Sequence, residues 1–163
     1  MIIHASNDFV KRYKCRMSLV DAEVQKSRRT DSWSVHVYRI GTTPFVIFMH
    51  DASLWSLIIR AKGVTKLEKL LPLFLSRVQE VWQMHGSALD PQNQSILFLP
   101  RRDRSLIGSM NDAVRHIKML ADIAHFEGRL VDWKELETYL QSTPFRAIEY
   151  DSPDRRLKTI LGG

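Results

Sequence analysis

The sequence predicts an α+β domain: an antiparallel β-meander sheet of about four to five strands, with helices packed mainly on one face. Three observations lead there. Apolar segments of period two or of continuous β-branched character crowd the early part of the chain. Amphipathic segments with apolar residues at 3-4 spacing fill the later part. The links between the early segments are too short for the crossovers that parallel pairing needs.

Taken in order, Ile2 and Ile3 suit a short first strand, and Asn7 to Lys14 a short helix capped by Asn7, with Phe9, Val10 and Tyr13 on one face. Gln25 to Ser32 is polar throughout and reads as an exposed loop. Trp33, Val35 and Val37 then alternate with Ser34, His36 and Tyr38, the pattern of a half-buried strand. Gly41 to Pro44 is a turn, Pro44 to Met49 a central strand, His50 to Ser53 a second turn, and Leu54 to Ile59 a third strand. Ser95 to Leu99 adds another strand. A helix begins in the capping-box sequence Thr65-Lys-Leu-Glu68 and carries Leu70, Phe74, Val78 and Trp82 inward. Pro72 either kinks it or marks its regular start. The next helix opens at Ser109, with Met110, Ala113, Val114, Ile117 and Ala121 in one stripe, and Gly128 stops it. Asp132 caps a third, and Ser152-Pro153 opens the last.

The chain has 163 residues and no composition shift, which reads as a single domain over 1–163. With 44% hydrophobic and 26% charged residues it is globular in character. No apolar run approaches the roughly 18 residues that span a membrane. The opening Met-Ile-Ile-His lacks the features of a signal peptide, so a cytoplasmic location is expected. Cys15 is the only cysteine, which excludes an internal disulfide and a Cys-based zinc site. None of the six histidines falls in a His-Glu-x-x-His pattern, and neither a metal nor a cofactor is expected.

Net charge is +6, and a basic balance favours nucleic acid or other polyanions. The segment unlike the rest is Arg101-Arg-Asp-Arg-Ser-Leu-Ile-Gly-Ser-Met-Asn-Asp112. With a helix starting at Ser109, unpaired amides would face an anion and Gly108 would let it approach the backbone. Arg102, Arg104, Ser105, Ser109, Asn111 and Arg115 are the candidate binding residues. The same residues also suit a plain helix cap with solvated arginines, and Asp112 competes for the positive helix end. His36 and His50 could meet across a hairpin, and His116 stands between Arg115 and Lys118. The four tryptophans suit core packing, while Asp51 and Asp90 suit turns.

Several blocks carry a resemblance: Met-Ile-Ile-His, Ser32-Trp-Ser-Val-His-Val, Val46-Ile-Phe-Met-His-Asp51, Arg104-Ser-Leu-Ile-Gly-Ser-Met-Asn-Asp112 and Ser152-Pro-Asp-Arg-Arg-Leu157. On these the chain resembles an uncharacterised family of small bacterial proteins, classed as a domain of unknown function. The resemblance implies a bacterial cytoplasmic protein and no reaction or ligand. The expected role is a non-enzymatic binding or accessory protein that contacts nucleic acid or a protein partner through residues 101–116. The alternative is an enzyme on nucleic acid, such as a toxin–antitoxin ribonuclease, using His116 or His50 with nearby arginines.

Overall fold

A computed structural model of the chain describes residues 1–18, 31–87, 90–91 and 95–162. Most of the polar stretch from Gln25 lies outside the described residues, but Ser32 at its end is already strand. The strands are β1 (Ile2–Ala5), β2 (Ser32–Ile40), β3 (Thr43–His50), β4 (Ser56–Arg60) and β5 (Leu97–Pro100). The helices are α1 (Asn7–Tyr13), α2 (Leu67–Met84), α3 (Arg104–Phe126), α4 (Trp133–Ser142) and α5 (Pro153–Leu161). A short 3-10 turn, Arg146–Ile148, joins the last two.

The α+β class holds, but the sheet is mixed rather than antiparallel. Its order is β4-β3-β2-β1-β5. β2, β3 and β4 form the expected antiparallel meander. β1 lies in the interior and pairs in parallel with both β2 and β5. Short links dictate pairing only within the meander. The chain between β1 and β2 passes through α1 and is long enough for a crossover, so link length does not force that pair to be antiparallel.

Helices also cover both faces, not mainly one. On the first face Ile3, Trp33, Val35, Phe48 and Leu57 pack beneath Phe9 of α1, Leu70, Phe74 and Val78 of α2, and Leu157 of α5. On the second, Tyr38, Phe45, Ile47, Met49 and Ile58 pack beneath Leu106, Met110 and Ile117 of α3 and Leu136 and Leu140 of α4. The reason is in β3, whose Phe45 to Met49 are apolar at every position and fully buried. A strand that hydrophobic has no water-facing side.

Several caps move. Ser6, not Asn7, caps α1, accepting from Phe9 N at 3.3 Å. α2 begins after Lys66 without a side-chain cap and runs through an exposed Pro72, so the Thr65–Glu68 box does not form. Asp132 and Ser152 cap α4 and α5 as expected. At the open edge of the sheet, α4 takes the place of a further strand. Glu137 Oε1 accepts from Ile58 N at 2.7 Å, and Gln141 both accepts from Ser56 N and donates to Ser56 O. These bonds occupy edge groups that would otherwise invite another chain.

Candidate functional site

The segment singled out by sequence folds differently from the expectation. α3 begins at Arg104, one turn and more before Ser109. Asp103 is its cap: Oδ1 accepts from Ser105 N at 2.9 Å and Leu106 N at 3.2 Å. An aspartate just ahead of the apolar stripe is a strong cap, and Gly108 is tolerated inside a helix held by Leu106 and Met110. The amides that an anion would need are therefore filled by a carboxylate. Ser109 is buried, its hydroxyl donating to Ser105 O at 3.1 Å. A Cβ at Gly108 would meet open space, so no close approach demands that glycine.

The other candidates are exposed. Arg102 stands just before the helix, with Arg104, Ser105, Asn111 and Arg115 on it. Arg104, Asn111, Arg115 and Lys118 follow one another at intervals of seven, four and three residues and form one outward row. Arg115 also reaches Asp112 at 3.2 Å.

Beside that row the structure gathers polar groups that sequence reasoning left apart. The parallel register sets His4 beside Ser34, so the polar residues of β1 and β2 share the second face. There Asp51 Oδ2 lies 2.8 Å from His4 Nδ1, and Ser34 donates to Asp51 Oδ1 at 2.7 Å. Asp51 stands in a turn, as expected, and is also a buried partner in this network. Two residues along, His36 Nδ1 lies 3.0 Å from Ser6 Oγ. Arg101 follows β5, its amide donating to Ala5 O and its guanidinium to Met110 Sδ at 3.0 Å.

These groups sit at the carboxyl ends of β1 and β5, where α1 departs over one face and α3 over the other. Such a divergence between adjacent parallel strands is the usual place for a ligand in an open sheet. His36 is held below the ordinary imidazole range, chiefly by burial, then by Arg101 and Lys118 against an opposing pull from Asp8. Arg101 is lowered by burial and supported by Asp8. The available signal was the alternation of His4 with Ile3 and of Ser34 and His36 with Trp33 and Val35. On a sheet with one wet face it reads as solvent-facing; here both faces are covered.

The other histidines stand elsewhere. His36 and His50 do not meet across the hairpin. Register pairs His36 with Ile47 and Trp33 with His50, so the two point to opposite faces. His50 is fully buried, 2.8 Å from Ser53 Oγ and against the Trp33 ring. The His116 ring meets Tyr139 edge-on, and its Nδ1 is buried without a partner among the described residues. Cys15 is buried, which pushes its thiol up and makes it less reactive.

A separate cleft of about 870 Å³ opens over Trp55, Leu57 and Val81 between α2, α4 and α5. Its charges are largely matched, Arg77 with Glu137 and Arg155 with Asp151 inside it, and Asp154 with Lys158 outside the lining. Among the described residues no group of three or more His, Cys, Asp or Glu is placed to hold a metal ion. No described helix is long and apolar enough to cross a membrane.

No curated protein and no solved structure matches the chain. A family model described as a domain of unknown function, DUF6933, does match, over residues 2–156, and the chain belongs to that family.

Proposed function

We propose that the protein binds nucleic acid along the outward row of α3. The observation that supports this is the alignment of Arg104, Asn111, Arg115 and Lys118 on one exposed face, with Arg102 just ahead of it. Guanidinium groups bind phosphate through paired donors, and a row on one helix follows a backbone without a deep pocket. The occupied helix amides do not weaken this reading, because the contacts come from side chains. It has no need of Ser109.

The test is binding of fluorescent single-stranded RNA and duplex DNA across a salt series. Log affinity should fall linearly with log salt, as counterion release requires. Arg102→Ala, Arg104→Ala and Arg115→Ala should each weaken binding and lower the slope by about 1, the share of a single phosphate. Affinity indifferent to salt, or unchanged in these variants, removes the reading.

A protein partner is the second reading, favoured by Met119, Ile123 and Phe126 on the later turns of α3, where Phe126 is 92% exposed. Lys118 and Asp122 border the same shallow groove. An antiparallel second copy would set Lys118 against Asp122 in both directions, as a two-fold interface requires. Sedimentation should then show a dimer that Phe126→Asp dissociates; a monomer at all concentrations removes it.

A further inference from the structure

Resting on the nucleic-acid reading above, we propose that His36 and His4 form an acid–base pair that cleaves RNA by attack of a ribose 2′-hydroxyl on the adjacent phosphate. Both imidazoles stand on the second sheet face, on adjacent parallel strands, two residues out of register. Strand spacing and rise place their Cα atoms about 8 Å apart, enough for one phosphate between the rings. Each ring has its Nδ1 engaged: His4 with Asp51, His36 with Ser6. Ser6 Oγ accepts from Phe9 N and has a second lone pair for His36 Nδ1–H, the tautomer that the proposal assigns to this ring. Among the described residues neither Nε2 has a hydrogen-bond partner, which leaves both for chemistry. The His4 side chain is 15% exposed and His36 is half-buried, so both are reachable from the surface.

The two environments assign opposite roles. Burial of His36, and then Arg101 and Lys118 against an opposing pull from Asp8, disfavour a positive charge on this ring and favour its neutral form. His4 touches the buried carboxylate of Asp51, a counter-charge for an imidazolium. The neighbours divide the work between the rings: the one beside two cations serves as base, and the one on a carboxylate serves as acid. His36 Nε2 takes the proton of the 2′-hydroxyl as that oxygen forms its bond to phosphorus. The bond from phosphorus to the 5′-oxygen breaks, and the leaving oxygen takes the proton from His4 Nε2. The products are a 2′,3′-cyclic phosphate and a 5′-hydroxyl, and solvent exchange restores both rings. Arg101 and Lys118 supply positive charge for the phosphoryl oxygens during the displacement. No oxidant, reductant or further reactant enters. Asp51 is a positioning residue that holds the His4 tautomer, itself fixed by Ser34.

The experiment incubates the full chain with an oligoribonucleotide, and separately with its 2′-O-methyl counterpart, in the presence of EDTA. Expected is cleavage of the first alone, with cyclic phosphate ends. His36→Ala and His4→Ala should each slow it at least about a hundredfold, the usual range for general acid–base groups. RNA affinity and melting temperature in His36→Ala should stay unchanged. Asp51→Asn should lower kcat and change its pH profile, and a smaller folded fraction would lower the rate without altering that profile. Intact RNA that is nonetheless bound by the wild-type chain overturns the proposal and leaves the binding reading standing. RNA neither bound nor cut overturns both. Cleavage that persists in both histidine variants, includes the 2′-O-methyl strand or vanishes in EDTA also overturns the proposal.

Discussion

The two faces of the sheet differ in how they use the same strands. On the first, β1 to β4 present Ile3, Trp33, Val35, Phe48 and Leu57, a mainly apolar surface with His50 at the end of β3. On the second, β3 presents Phe45, Ile47 and Met49 and β4 adds Ile58 between Ser56 and Arg60, while β1 and β2 present His4, Ser34 and His36. Ser34 and Asp51 there are both buried. A fold seeking only stability would fill those positions with aliphatic side chains, because buried polar groups add little when bonded and cost more when not. The polar half of the second face is therefore the part of the sheet that folding alone does not explain.

If the first face supplies most of the stability, its centre should be the place most sensitive to truncation. The Phe74 ring stacks on Phe48 at 4.0 Å and meets Trp33 edge-on at 5.3 Å. Phe74→Ala should cost about 3–5 kcal/mol, read from the urea midpoint with its slope unchanged. A loss under about 1 kcal/mol would mean that this face collapses to fill the gap or is not the main core.

On the second face the sharpest probe is Asp51. Asp51→Ala leaves the Ser34 hydroxyl and His4 Nδ1 buried without their acceptor, which should cost roughly 1–3 kcal/mol by the same measurement. A variant as stable as the parent would show that the network opens to water readily. A smaller effect belongs to the cap that docks α3 on this face. Asp103→Ala removes the acceptor for Ser105 N and Leu106 N and should cost about 1 kcal/mol. If α3 began at Ser109 instead, the substitution would be neutral.

Most elements were legible in the sequence, because period and punctuation are local. The meander, the stripe from Met110 to Ala121 and the caps at Asp132 and Ser152 all follow from neighbouring residues. What was not legible depends on residues far apart in the chain. The parallel partners of β1 join Ile3 to Trp33 and to Phe98, and no local pattern encodes that. The same gap hid the histidine pair, since His4 and His36 become neighbours only once β1 and β2 align. The start of α3 was misplaced for a local reason: Gly108-Ser109 imitates a stop and a cap, while Asp103 caps an earlier turn. Of the segment's proposed contacts, Arg102, Arg104, Ser105, Asn111 and Arg115 remain on the surface and Ser109 does not.

The smallest effect is also the most discriminating between the faces, because it is a pH dependence. His36 is lowered in the folded protein, chiefly by burial, with Arg101 and Lys118 adding to the effect and Asp8 opposing it. Below its ordinary value of 6.5 the unfolded chain takes up that proton more readily than the folded one. Stability from this source is thus fully present above that value and is lost as pH falls toward the lower folded one. His85, beside Asp154 and Lys158, is also lowered chiefly by burial and contributes in the same direction. His36→Gln should therefore flatten part of the decline in urea midpoint between neutral pH and about pH 5, leaving the His85 share. His85→Gln should flatten the rest, and the two should add, since His36 lies on the second face and His85 against Trp55 of the first-face core. An unchanged decline in His36→Gln would mean that this imidazole charges as freely in the folded chain as in the unfolded one. Burial and the two cations would then not outweigh Asp8, and the base role proposed for this ring would lose its support.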